Sequence, residues 1–297
     1  MLNSKEIEKA YSRIRSLIIK TPLITNETIN KKTNSKIYFK LENLQKTGSF
    51  KIRGAANKIG KLSNNEKSRG IVSYSSGNHA QAVAYVSKHF NIKSTIVMPE
   101  NAPLIKINNT KKYGAKIVLY NPKKESRENI AEIIAKKENK TIIRPYDDLD
   151  IIAGQGTAGK EIADDLKKIK IEPDIYICCC GGGGLIAGTT TYLKKIFPRI
   201  NCYSVEPNQF NDTELSLKTN SIVKNKKNSK SICDALLAPE PGKITFPINK
   251  THLKKGLSVS DIEVKKTIID LAENLKIIVE PGGAVAAAAV LTNKIKI

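Results

Sequence analysis

Apolar positions at Ile7, Ala10, Tyr11, Ile14, Leu17 and Ile18 return every three to four residues, which predicts an amphipathic helix at the start of the chain. Thr21-Pro22 closes it, because proline disfavours helical backbone in the residue before it. Ile37, Phe39 and Leu41 alternate and predict a strand. Beyond them, short β-branched runs alternate with helical patterns. Strands are predicted at 71–73, 94–98, 116–119, 141–143, 174–180 and 202–205, and helices at 79–88, 104–112, 126–137, 157–168 and 185–196. The small-residue run 284–289 reads as a close-packed helix, and the lysine-rich 224–230 as a solvated loop. Repeated β–α alternation predicts an α/β fold of two domains, each a mostly parallel twisted sheet with helices on both faces. Residues 70–146 hold four of the strands and are expected to close as a small domain. Residues 1–69 and 147–297 then form a larger, discontinuous one.

Composition narrows the class. The 297 residues are enough for two domains, and 40% apolar with 26% charged residues fits a globular protein. The net charge of +22 raises the question of nucleic-acid binding. However, 43 of the 50 basic residues are lysine, they are spread over the whole chain, and there is no tryptophan to stack on bases. A lysine-rich solvated surface is the preferred reading, and no nucleic-acid partner is expected. The longest uncharged stretch, 175–193, carries five glycines and three threonines and makes a poor membrane span. The N-terminus is polar from the outset, unlike a secretion signal, so a cytoplasmic location is expected. Five cysteines, three of them consecutive at Cys178, Cys179 and Cys180, have neither disulfide nor zinc spacing.

Three segments carry candidate chemistry. Gly181-Gly182-Gly183-Gly184-Leu185 joins a predicted strand to a predicted helix, so bare backbone N–H groups can meet an anion at the positive end of that helix. The dinucleotide spacing does not fit, because Ile186 stands where a third glycine is needed. Ser75-Ser76-Gly77-Asn78-His79 sits likewise between strand and helix and suits a carboxylate. In Thr47-Gly48-Ser49-Phe50-Lys51, a lysine among small and apolar residues is a candidate for a desolvated amine of lowered pKa. Gly154 to Lys160 satisfies a nucleotide-loop spacing but places Glu161 where a magnesium-binding hydroxyl belongs, so it reads as the start of a helix.

The ordered strings KLENLQKTGSFKIRGA (40–55), SSGNHAQA (75–82), IAGQGTA, GGGGL and VEPGGA (279–284) resemble the serine/threonine dehydratase and serine racemase family. These are pyridoxal-phosphate enzymes of fold type II. The resemblance implies pyridoxal 5′-phosphate as cofactor, with Lys51 as its Schiff-base lysine and Phe50 packed on its ring. It also implies Asn78 at the 3′-hydroxyl and Gly181, Gly182, Gly183, Gly184 and Leu185 around the phosphate. Ser75, Ser76, Asn78 and His79 would hold the substrate carboxylate. Ser76 matches the opposite-face acid/base of the racemases, where many biosynthetic threonine dehydratases carry alanine. Arg127 matches an arginine near the substrate in serine racemase and its hydroxyaspartate-cleaving relatives. Glu206, the carbonyl of Phe210 and Asp212 resemble the family's divalent-cation site, for Mg²⁺ or alternatively Ca²⁺ or Mn²⁺. The implied activity is an ammonia-lyase acting on L-threonine, L-serine or 3-hydroxyaspartate, with serine or aspartate racemisation as the alternative. A basic nucleic-acid-binding protein or an inactive remnant is the alternative of another class. A homodimer is expected, with no membrane partner.

The sequence departs from the family pattern in three places. Ile232-Cys233-Asp234-Ala235 replaces I-A-D-G, and Ala238 replaces a substrate-binding serine. The family continues through one more strand and an S-G-G-N segment that contacts the pyridine nitrogen, whereas this sequence stops at Lys296-Ile297, so a truncated chain is expected. Nor does a regulatory domain follow, and end-product feedback is not expected.

Overall fold

The computed structural model describes residues 2–75 and 77–296, so Met1, Ser76 and Ile297 lie outside it. Its centre is a block of three helices, Lys51–Gly60, Leu149–Lys168 and Gly184–Ile196, packed backbone against backbone. A Cβ on Gly154 would lie 2.5 Å from the Arg53 carbonyl oxygen, and one on Gly159 would lie 2.8 Å from Thr189 Cα. A Cβ on Gly188 would collide with the Ile152 carbonyl. These glycines are there for close approach. That corrects the reading of 154–160 as a helix start: the helix begins eight residues before the predicted 157, at Leu149, where Asp148 caps it by accepting from Asp150 N and Ile151 N.

Nine strands are described. β1 (Leu23–Ile24) and β2 (Phe39–Lys40) form a short antiparallel pair. β3 (Ile71–Tyr74), β4 (Ser94–Pro99), β5 (Lys116–Tyr120) and β6 (Thr141–Ile143) make a parallel sheet of order β5-β4-β3-β6. β7 (Ile175–Cys179), β8 (Asn201–Pro207) and β9 (Leu253–Val259) make a second parallel sheet. The α/β class and its parallel sheets therefore stand as expected. The sequence reading did not anticipate β9, whose lysines and glycine give LKKGLSV no clean alternation. The first helix ends at Ile14, earlier than its apolar period suggests. Leu17 and Ile18 are buried all the same, and the Gln45 side chain takes over there, accepting from Ile19 N and donating to Ile19 O.

Arg53, fully buried, locks the helical block to the N-terminal segment. Its Nε donates to Glu42 at 2.8 Å, its terminal nitrogens donate to Glu42 and Glu161 at 2.8 Å, and Thr157 accepts at 3.3 Å. Lys40 Nζ adds a second cation, 2.8 Å from Glu161. Burial would raise the Glu42 carboxyl, but the Arg53 charge and hydrogen bonds hold it below the usual carboxylate value. Two cations thus face two anions in a dry site. Removing one partner strands the others, so Arg53→Met is expected to lower unfolding free energy by about 3–5 kcal/mol in urea titration. A loss under about 1 kcal/mol, the range of exposed ion pairs, would contradict this.

Candidate active site

Lys51 stands at the first position of its helix, delivered by an unusual hook. Thr47 and Gly48 both take left-handed backbone, with φ of 65° and 73°. A β-branched residue there is strained, and strain of this kind gathers at functional sites. The amine of Lys51 donates to the Pro145 carbonyl at 2.9 Å and lies 5.3 Å from the centre of the Phe50 ring. Burial pulls its pKa down to about 8, Arg127 pushes the same way and Glu280 opposes them. The expectation of a desolvated lysine thus has a physical basis.

The glycine loop follows β7 and opens the helix Gly184–Ile196. Gly183 has φ +87°, which glycine alone takes freely, and the place of a Cβ on Gly182 is filled by the Tyr146 ring. Thr245 Oγ1 donates to the Gly182 carbonyl at 2.7 Å and Asn249 Nδ2 to that of Gly183 at 3.3 Å. A trans peptide points its N–H away from its carbonyl, so the N–H groups of Gly183 and Gly184 are turned from those two side chains. Helix polarity makes that a seat for an anion.

Opposite lies the turn after β3. Ser75 N bonds the Val97 carbonyl at 3.1 Å, Ser75 Oγ accepts from Gly77 N at 3.2 Å, and the helix Asn78–His89 begins at once. Ser76, expected as a catalytic residue, falls outside the described residues. Asn78 Nδ2 donates to Glu280 Oε1 at 2.6 Å. His79 is buried with its Nε2 against the Ile143 carbonyl at 3.3 Å, and burial drives its pKa down to about 3. The ring is neutral, with Nε2–H as donor and a lone pair on Nδ1 that has no partner. Such a ring offers nothing to a carboxylate, whereas the main-chain N–H at this helix start does.

Arg127 Nε donates to Glu128 at 2.8 Å and its guanidinium sits 5.6 Å from the Tyr74 ring centre. Phe50, Lys51, Ser75, Asn78, His79, Arg127 and the loop 181–185 all line one cavity of about 1130 Å³. Glu206, Phe210 and Asp212 lie off that cavity. Glu206 accepts from Thr213 N at 3.0 Å and Glu214 N at 2.8 Å, and Asp212 Oδ1 accepts from Asn225. Asp212 Oδ2 is buried without a partner. Thr213 Oγ1 is 3.4 Å from Cys180 Sγ, which places this acidic pair behind the glycine loop. Among the described residues no group of three or more His, Cys, Asp or Glu side chains gathers as a metal site.

Sequence reasoning did not single out Tyr146, Tyr74, Glu280 or the Lys106–Asp234 ion pair, all of which line the cavity. Pro145-Tyr146 lies one residue beyond β6, at the carboxyl end of a parallel strand where such sites form, and that was the available signal. Ala235 also lines the cavity, and its methyl lies 3.1 Å from where a Cβ on Gly282 would be.

Comparisons with known proteins agree with this geometry. The pyridoxal-phosphate dependent enzyme family matches residues 14–297. The L-threo-3-hydroxyaspartate ammonia-lyase of Saccharomyces cerevisiae is 39% identical over 289 residues, covering 97% of this chain and 87% of that protein. A catabolic L-threonine dehydratase of Staphylococcus aureus is 40% identical over 291 residues, covering 98% and 83% respectively. The crystal structure of serine racemase from Dictyostelium discoideum matches with a TM-score of 0.92 at 40% identity, over 99% of this chain and 93% of that one. A buried amine facing a bare-backbone anion seat is what a coenzyme with an aldehyde and a phosphate requires, and the chain belongs to the pyridoxal-phosphate dependent enzymes, in their fold type II.

Proposed function

We propose that this chain is an ammonia-lyase that converts a β-hydroxy amino acid (L-threonine, L-serine or 3-hydroxyaspartate) to a 2-oxo acid and ammonia. The observation that carries the reading is the single cavity that sets the Lys51 amine and the glycine loop against the helix start at Asn78. The residues fit the cofactor: Lys51 would hold its aldehyde carbon, Gly181 to Gly184 with Leu185 its phosphate, Phe50 its ring face and Asn78 its ring hydroxyl. When bound, pyridoxal phosphate supplies a conjugated ring that takes up the electrons of the broken Cα–H bond.

The protein's own groups do the rest. Main-chain N–H groups at the start of the helix Asn78–His89 bind the substrate carboxylate, with Ser75 and Asn78 side chains beside them. Lys51 Nζ is the group placed to take the Cα proton, and an amine with pKa about 8 suits that task near neutral pH. Tyr146 and Phe50 exclude water from the reacting centre. Arg127 places a cation on the cavity wall where a second substrate carboxylate would pair with it, which favours 3-hydroxyaspartate among the three substrates. Racemisation of serine or aspartate is the second reading, favoured by Ser76, a hydroxyl of the type an opposite-face proton donor needs.

The domain division proposed is 70–146 for the small domain, which contains the whole sheet β5-β4-β3-β6, and 1–69 with 147–297 for the large one. A homodimer in the cytoplasm is proposed with it. No helix among the described residues is long and apolar enough to cross a membrane. A divalent cation is proposed on Glu206, Asp212 and the Phe210 carbonyl, because Asp212 Oδ2 is a buried acceptor with nothing to accept from.

Activity assays, cofactor capture and cation binding check this reading. Purified protein assayed with each amino acid should form 2-oxo acid faster than D-enantiomer. Ser76→Ala should abolish racemisation and largely spare elimination, and Arg127→Met should cut kcat/KM for 3-hydroxyaspartate about 10- to 100-fold more than for threonine. Equal loss of both activities, or equal loss on both substrates, contradicts the assignments. Covalent capture of cofactor by cofactor-free protein should rise about tenfold per pH unit and level off near pH 8, because only the unprotonated amine attacks. A midpoint at the ordinary lysine value of 10.5 refutes the desolvated Lys51. Mg²⁺ or Ca²⁺ should raise the thermal midpoint of wild type and leave Asp212→Asn unmoved, and no shift in wild type removes the cation site.

A further inference from the structure

We propose that Glu280 is a positioning residue for the cofactor: its carboxylate holds the Asn78 amide, across the cleft, with an N–H turned toward the ring hydroxyl. The proposal rests on the pyridoxal-phosphate reading above. Glu280 stands at the N-cap of the helix Pro281–Leu291, yet its side chain makes no capping bond there. It reaches into the cavity instead, where its Oε1 accepts from Asn78 Nδ2 at 2.6 Å.

Asn78 comes from the helix that follows β3, and Glu280 from the side of the β7-β8-β9 sheet. The contact therefore spans the cleft, as does the ion pair between Lys106 and Asp234 beside it. Burial raises the Glu280 carboxyl above its usual value and Asp234 adds to that, while Lys106, the Asn78 hydrogen bond and Lys51 favour its ionised form.

An amide has two donors at one end and an acceptor at the other, and its partners decide which end faces a ligand. With one N–H on Glu280, the nitrogen of Asn78 stays on the cavity side and its second N–H is free for the ring hydroxyl. Without Glu280, the amide can turn and present its oxygen. A carbonyl oxygen against an ionised hydroxyl is repulsive, so the hydroxyl would keep its proton. A structural latch alone would not change that protonation, and this separates the two roles.

The test is a double-mutant cycle of Glu280→Ala and Asn78→Ala, with Glu280→Gln as the conservative variant and Glu280→Met should the alanine variant not fold. The readings are the cofactor dissociation constant and the visible absorbance of the bound cofactor. Glu280→Ala should weaken cofactor binding about 2- to 10-fold, the worth of one hydrogen bond. It should also move absorbance to the shorter-wavelength form with a protonated hydroxyl. Glu280→Gln keeps an acceptor oxygen and should stay within about twofold of wild type. The double variant should be no worse than Asn78→Ala alone. Additive losses, a Gln variant as impaired as Ala, or a thermal loss with an unmoved spectrum each overturn the proposal. A wild-type protein that takes up no cofactor defeats the functional reading beneath it. Normal uptake with an additive cycle defeats only the role of Glu280.

Discussion

The position of the reactive amine depends on a buried arginine two residues further on. A guanidinium has five N–H donors, and Glu42, Glu161 and Thr157 between them occupy all five of Arg53. Lys40 balances the second carboxylate, so two positive and two negative charges cancel around a fully buried Arg53–Glu161 pair. Such a cluster is stable only when complete. It fixes three separate parts of the chain, near residues 40, 53 and 161, and with them the start of the helix that presents Lys51. Left-handed backbone at Thr47 is tolerated because the segments on both sides of it are held this way.

The site is built from two like elements facing one another. At the carboxyl end of β3 a helix begins at Asn78, and at the carboxyl end of β7 another begins at Gly184. Each helix start carries a partial positive charge and main-chain N–H groups that have no partner within the helix. One seat has glycines throughout and room for a phosphate, and the other has short polar side chains suited to a carboxylate. Lys51 lies in the same cavity, where loss of water rather than any single neighbour accounts for most of the drop in its pKa.

Much of this could be read from the chain. The glycine run, the turn 75–79 and Lys51 are local strings whose chemistry follows from residue type, and the glycine run, Lys51, Ser75, Gly77, Asn78 and His79 do line one cavity. Elements hidden from sequence reasoning owe their form to distant partners. Gly154, Gly156 and Gly159 look like helix breakers until their neighbours are known; each is where another backbone runs too close for a side chain. The helix Lys51–Gly60 escaped notice for the same reason, since Gly54 lies against Gln155 and the Ile151 carbonyl. Tyr146 fills the space beside Gly182, and Glu280 meets Asn78 from 202 positions further along the chain, so neither contact leaves a local trace. Burial of Leu17 and Ile18 beyond the first helix shows the converse, a helical period kept by residues that are not helical.

The glycine contacts within the helical block also bear on motion. Lys51 and the glycine loop ride on two helices that both lie in main-chain contact with a third. Main chain pressed on main chain has no rotamers to change, so the span between the amine and the anion seat behaves as a fixed gauge.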